Sequence, residues 1–311
     1  MLLLASAALG QGGRRQDAAP EGLIRGSLEH DGRTREFYLD PGGSPAGGRP
    51  LVVVLHGGRG SAERIAGYAG FDAVARREGL VVAYPQAVER NWNDGRDLAR
   101  YASHREGVDD VGFLSALIDR IVAEQRVDPD RVYLTGPSNG GMMTYRMALE
   151  APEKLAAAAA VIANLPERLA EAHAGPTDEP VPLLIVNGTA DPLVPHAGGE
   201  ITFGIWGGLG RVLSSRATAE FFAARGGCGG EPRREPARDA DPGDAIEVER
   251  HGFGDAAARC SVELYLLDGG GHTWPGGPQL VPRAIVGPAT RSLDAAEVIW
   301  SFFARHSRTG R

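Results

Sequence analysis

Val132-Tyr133-Leu134-Thr135-Gly136-Pro137-Ser138-Asn139-Gly140-Gly141-Met142-Met143 is the stretch on which the fold turns. Arg131 to Leu134 is β-branched and aromatic, as a strand requires; Met142, Met143, Tyr145 and Met147 then follow with no proline before Pro152, as a helix requires. Between them lies Gly-x-Ser-x-Gly. A strand that turns directly into a helix holds such a serine on a strained corner, its hydroxyl lifted clear of the backbone. Glycine is needed two residues to either side because a Cβ would clash in so tight a turn. In a chain with 44 glycines the pentapeptide alone is a common accident. Its context makes Ser138 a candidate nucleophile, against the plainer reading of a glycine-rich turn.

Working outward, short apolar runs recur at Leu51–Leu55, Leu80–Tyr84, Ala159–Ile162, Leu183–Val186 and Val262–Leu267. Such continuous runs suit strands buried on both faces of a parallel sheet. Helical periodicity separates most of them. From Asp110, the expected N-cap, Val111, Leu114, Leu117, Ile118 and Ile121 share one face. The last helix starts at Asp294, with Glu297 three residues on, and buries Val298, Ile299, Phe302 and Phe303. Gly22–His30 and Thr34–Asp40 flank Asp31-Gly32 and predict an N-terminal β-hairpin. The fold class is therefore α/β: a mostly parallel sheet flanked by helices on both faces. Residues 1–20 read as a signal-like leader and 21–311 as one domain, with Gly226–Asp244 a surface excursion.

At 311 residues and 42% hydrophobic, the chain can bury one large core. A net charge of −7 with no basic cluster argues against a nucleic-acid partner, because phosphate binding needs concentrated positive charge. Met1–Gly10 is apolar and ends in small residues like a signal-peptidase site, though it lacks a basic start and is too short to span a bilayer. A secreted protein without a membrane span is expected. Cys228 and Cys260, the chain's two cysteines, suit one disulfide in that setting; two free buried thiols are the alternative. No zinc spacing is present. Asp239, Asp241 and Asp244 loosely resemble a calcium loop, but the bidentate glutamate is missing and Pro242 interrupts, so neither metal nor cofactor is expected.

A serine hydroxyl needs a base, and the base needs an orienting acid. Asp191 follows the buried run Leu183–Val186, where such an acid belongs. Asp268 is its rival, but it stands only four residues before the candidate base. That base is His272, in Gly269-Gly270-Gly271-His272-Thr273-Trp274-Pro275, after the run Val262–Leu267. His30, His104, His173, His251 and His306 lie in polar or terminal contexts, and His196 follows Asp191 too soon and suits a pocket wall. For the oxyanion, His56-Gly57-Gly58 follows the first buried run; the donors expected are the amides of Gly58 and Asn139, with Arg59 the neighbouring candidate and His56 a loop anchor. Trp92 stands on a polar loop, which suggests a ligand beside it; Trp206 and Trp300 read as packing residues. Of Asp109 and Asp110, one caps a helix and the other holds a loop.

Taken together, Leu55-His56-Gly57-Gly58, Trp92-Asn93-Asp94-Gly95-Arg96, Val108-Asp109-Asp110-Val111-Gly112-Phe113, Gly136–Met143, Gly188-Thr189-Ala190-Asp191-Pro192 and Gly270–Pro275 are far more specific than the serine motif alone. The chain resembles the secreted polyhydroxybutyrate depolymerase and feruloyl esterase-like α/β-hydrolases, relatives of the acetylxylan and feruloyl esterases, from about Gly22 onward. That resemblance implies an α/β-hydrolase fold, a Ser138–His272–Asp191 triad, and a cleft bordered by Trp92 and Trp274, with Met142 and His196 also on the substrate wall. The chain departs from it at Pro137, where many members carry Leu or Met; proline suits a fixed turn but removes an amide donor. The function implied is a serine esterase acting on hydroxyalkanoate oligomers or feruloyl and aromatic esters. A serine peptidase on the same fold and a non-catalytic polymer- or carbohydrate-binding protein are the alternatives.

Overall fold

The computed structural model describes residues 22–43, 48–202, 207–237, 246–254 and 260–310. The expected leader over 1–20, Trp206, and the aspartates Asp239, Asp241 and Asp244 lie outside the described residues. In chain order the strands are β1 (Ile24–His30), β2 (Arg33–Asp40), β3 (Arg49–Val54), β4 (Val81–Pro85), β5 (Val127–Pro137) and β6 (Ala157–Val161). They continue as β7 (Leu183–Gly188), β8 (Gly199–Glu200), β9 (Arg211–Val212), β10 (Arg233–Pro236), β11 (Val248–Gly254) and β12 (Ser261–Leu267). One sheet runs β1-β2-β4-β3-β5-β6-β7-β12-β11-β10. From β4 to β12 its neighbours are parallel, while β1-β2 at one margin and β11-β10 at the other are antiparallel. The short β8-β9 ribbon stands apart.

The central runs are apolar throughout because both faces of the sheet are covered. Side chains alternate across a strand. Leu51 and Val53 therefore join a layer built with Leu114, Leu117, Met143, Met147 and Phe222, under helices Asp110–Gln125, Asn139–Glu150 and Ser215–Arg225. Val52 and Val54 join the opposite layer with Ile65, Phe71, Val74, Ile299 and Phe302, under Ala62–Tyr68, Phe71–Glu78 and Ala295–Phe303. Each such side chain contributes about 1.5–3 kcal/mol when removed from water. Parallel strands end at the same margin of the sheet, so the loops after β3, β5, β7 and β12 gather there. This is the mostly parallel, two-faced sheet with an N-terminal hairpin that the sequence predicts; Asp31 and Gly32 both take positive φ in the hairpin turn.

Two local expectations change. Asp109, not Asp110, caps the helix, its carboxylate accepting from the Gly112 amide at 2.8 Å. Asp110 is fully buried one position later and accepts instead from Arg35 Nη2 at 2.6 Å and the Asn93 amide at 2.7 Å. It ties the hairpin to the Trp92 loop. Within the segment read as an excursion, Arg233–Pro236 is an edge strand on β11. An outermost strand needs no apolar alternation and tolerates proline, so its composition hid it.

Cys228 and Cys260 are bonded, with Cα atoms 5.8 Å apart. The bond joins the end of helix Ser215–Arg225 to the start of β12, which leads to His272. It closes a separation of 32 residues, worth about 3–4 kcal/mol through lost freedom of the unfolded chain. Reduction, or the Cys228→Ser/Cys260→Ser double variant, should lower Tm accordingly. An unchanged melting curve would contradict this contribution.

Candidate active site

At the end of β5 the chain must leave the sheet and start a helix within one residue. Ser138 makes that corner with φ 55° and ψ −122°, a conformation that costs a non-glycine residue about 1–3 kcal/mol. Its amide donates to Val161 O of β6 at 2.9 Å, which holds the corner against the neighbouring strand. The flanking glycines answer to the end of β3. A Cβ on Gly140 would lie 2.6 Å from His56 O, and one on Gly136 would lie 2.9 Å from Leu55 O. Ser138 remains half-exposed above these contacts.

Asp191 and His272 come together across β7 and β12. His272 Nδ1 donates to Asp191 Oδ2 at 2.7 Å, and Asp191 Oδ1 accepts from the Leu193 and Val194 amides at 2.8 and 2.9 Å. Two amides and an imidazole thus fix a carboxylate whose side chain is 2% exposed. The histidine loop packs backbone to backbone: a Cβ on Gly271 would lie 2.3 Å from Val286 O, and one on Gly188 would lie 2.2 Å from Gly270 O. Glycine is needed there for close approach. Asp268 is turned away at the surface, accepting from Thr189 Oγ1 at 2.8 Å. Among the described residues no hydrogen bond joins Ser138 to His272, a contact that often tightens only with substrate bound.

The Arg59 amide donates to Arg90 O at 2.8 Å, so it is already committed. No described backbone carbonyl takes the Gly58 amide, and Gly58 faces Asn139: a Cβ on it would lie 3.5 Å from Asn139 Cβ. His56 is a buried anchor. Nδ1–H donates to Gly57 O at 2.8 Å, and Nε2 accepts from the Ala87 amide at 3.1 Å. Burial chiefly pushes its pKa down to about 4, against the pull of the Gly57 carbonyl. His104, lowered by burial, donates Nε2–H to Trp92 O at 3.1 Å and accepts the Leu98 amide on Nδ1. Unfolded imidazoles titrate near 6.5. Below that pH the unfolded chain binds protons that the fold refuses, so stability is full above about 6.5 and is lost as pH falls toward 4. The His56 shift alone should cost about 2 kcal/mol between pH 7.5 and 5. A urea midpoint that stays level over that range would contradict it.

The expected substrate wall needs correction. Trp92 is fully buried, donating Nε1–H to His56 O at 2.9 Å, because the polar residues around it turn inward and bond to one another. Met142 is 1% exposed and packs in the core beneath the serine. Trp274 is 6% exposed and packs in the layer with Ile299. None of the three offers a cleft surface. His196 is half-buried, and its carbonyl accepts from the Ser215 amide at 2.8 Å. His251, expected in a polar setting, is buried on β11 with Glu249 Oε2 2.8 Å from Nε2. Trp300 packs on the last helix as expected.

Sequence reasoning missed Asp94, Arg96 and His104. Asp94 is fully buried; it accepts from Arg96 Nε at 3.0 and 2.9 Å and from Asn139 Nδ2 at 2.6 Å. The run Trp92-Asn93-Asp94-Gly95-Arg96 was the only signal for this network, and it says nothing about which way the side chains point.

The family described as Esterase PHB depolymerase matches residues 34–175. "Putative esterase NocK" of Nocardia uniformis subsp. tsuyamanensis is 36% identical over 279 residues, covering 87% of this chain and 79% of that protein. "Feruloyl esterase B" of Piromyces equi is 26% identical over 227 residues, 72% of this chain but only 39% of that protein. "Acetyl xylan esterase from Aspergillus awamori" superposes with a TM-score of 0.62 at 16% identity, over 91% of this chain and 99% of its own, which speaks to the fold. No helix among the described residues is long and apolar enough to cross a membrane. Fold, motif positions and the Nocardia relative agree: the chain belongs to the esterase PHB depolymerase family, carboxylic-ester hydrolases on the α/β-hydrolase fold.

Proposed function

We propose that this protein is a serine carboxylic-ester hydrolase that works through an acyl-enzyme, with residues 21–311 as one catalytic domain. Ser138 attacks the ester carbonyl while His272 Nε2 takes its proton. The amides of Asn139 and Gly58 receive the oxyanion, and Asp191 stabilises the imidazolium. The tetrahedral intermediate collapses, and the alcohol leaves with the proton from His272. Water, activated by the same imidazole, then releases the acid. The observation that carries this reading is the 2.7 Å bond from His272 Nδ1 to Asp191 Oδ2. It leaves Nε2 as the free base at the margin of the sheet where the strained Ser138 stands.

Substrates are proposed to be hydroxyalkanoate oligomers and polyesters, or feruloyl and other aromatic esters. The family description and the feruloyl esterase relative support this range. Leu280, Val281 and Ile285, 64%, 39% and 43% exposed on the segment after His272, are proposed to form an apolar lip that such substrates would meet. The His272 amide donates to Val286 O, which links that lip to the catalytic loop. The disulfide supports an oxidising compartment, as in secretion.

The test is turnover of hydroxybutyrate oligomers, methyl ferulate, acetylated xylan and p-nitrophenyl acetate, with a peptide series as control. Ester hydrolysis without peptide cleavage is expected; peptide cleavage at comparable rates would favour the peptidase, and no turnover a binding protein. A Leu280→Ser/Ile285→Ser variant should raise KM about tenfold for the larger apolar esters, through roughly 1–2 kcal/mol of lost apolar contact. p-Nitrophenyl acetate should be spared. Equal loss on all substrates would remove the lip from the reading.

A further inference from the structure

The two proposed oxyanion donors sit on separate pieces of chain: Gly58 on the loop after β3, and Asn139 at the start of a helix. Their spacing decides whether both can reach one oxygen, and a misplacement of about 1 Å can cost a factor of 100 in rate. The two pieces pack on each other, with Gly140 close against His56 O and Gly58 facing Asn139. Trp92 adds hydrogen bonds to both.

Its indole Nε1–H donates to His56 O at 2.9 Å, two residues before Gly58, and its ring lies 5.2 Å from the His56 imidazole. Its backbone pairs with the Asn139 side chain at two points. The Trp92 amide donates to Asn139 Oδ1 at 2.8 Å, and Asn139 Nδ2 donates to Trp92 O at 3.0 Å. A second Nδ2 bond, to Asp94 Oδ2 at 2.6 Å, fixes which way the Asn139 amide group faces. Asp94 is in turn held by Arg96, and His104 also donates to Trp92 O. Trp92 and Asp94 are wholly buried and Asn139 is 3% exposed. A buried network with every partner in place holds one geometry, since loosening any member strands polar atoms away from water.

We propose that Trp92 is a positioning residue of the oxyanion hole, a strut that sets the separation of the Gly58 and Asn139 amides, with Asn139's own side chain and Asp94 as its lower clamp. This rests on the serine-esterase reading above. A strut acts on the tetrahedral oxyanion and not on the bound ester. Its loss therefore lowers kcat with little change in KM.

The experiment compares wild type with Trp92→Phe, which keeps a buried ring but removes the Nε1–H donor. Asn139→Ala is the second variant; it leaves the backbone amide donor in place and removes only the clamp. Each is assayed with p-nitrophenyl acetate, and against a short alkyl trifluoromethyl ketone, whose serine adduct puts an oxyanion in the hole. Outright removal of one donor typically costs about 100- to 1,000-fold in kcat, so displacement should cost about 10- to 100-fold. KM should stay within about twofold, and ketone affinity should fall by the same factor as kcat/KM. Trp92→Phe or Asn139→Ala protein that keeps wild-type kcat and ketone affinity overturns the strut. So does a loss confined to KM, or one that follows Tm alone. Wild-type protein that hydrolyses the ester but forms no adduct at Ser138 overturns the underlying reading and the strut with it.

Discussion

Ser138→Ala and His272→Ala will each lower kcat by about 10⁶-fold, with the fold intact. The two residues act as a unit: an imidazole with no hydroxyl to deprotonate is idle, and a neutral hydroxyl with no base is a poor nucleophile. Removing either leaves only what binding and the oxyanion amides supply, so the double variant should be no worse than the singles. Alanine at 138 has the same backbone limits as serine, so the strained corner and Tm should change little. Residual rates must be measured with enzyme purified apart from any wild-type esterase, on p-nitrophenyl butyrate. A Ser138→Ala protein within tenfold of wild type would mean that the strained serine is not the nucleophile.

Asp191→Asn should be nearly as damaging, by roughly 10⁴-fold in kcat. The reason is local. Oδ1 is claimed by the Leu193 and Val194 amides at 2.8 and 2.9 Å, so an asparagine there must keep its oxygen on them and present its NH2 to His272. His272 Nδ1 would then have to accept, which moves the ring proton to Nε2 and removes the lone pair that should face Ser138. The expected signature is a fall in kcat with KM nearly unchanged. Asp268→Asn is the control: its carboxylate meets Thr189 at the surface and should be dispensable for turnover. If Asp191→Asn turned over normally and Asp268→Asn did not, the acid would be misassigned.

The sheet was legible in the sequence because its central strands are covered on both faces. Nothing polar interrupts runs such as Leu51–Leu55 or Leu183–Val186, and turns punctuate them. The positions of the proposed set Ser138, Asp191 and His272 were legible for the same reason: each follows an apolar run, and parallel strands bring their ends to one margin. The Trp92 loop was not. Asn93, Asp94 and Arg96 read as a polar loop, yet Asp94 pairs with Arg96 and Asn139, and Asn93 bonds to Asp110 and Val108 O, around a buried indole. Composition records polarity, not direction. Met142 and Trp274 failed as wall residues because proximity in sequence to a serine or histidine does not choose which face of a helix or loop a side chain takes. Strand β10 escaped notice because an outermost strand carries charges and proline where central strands cannot.

The most direct test of the account is covalent labelling by a fluorophosphonate, read by intact mass and peptide mapping. The account predicts one adduct per chain, on Ser138, formed in step with loss of ester hydrolysis and absent in Ser138→Ala. Full loss of activity with the label on another residue, or sustained hydrolysis by a protein that takes no label, would contradict it.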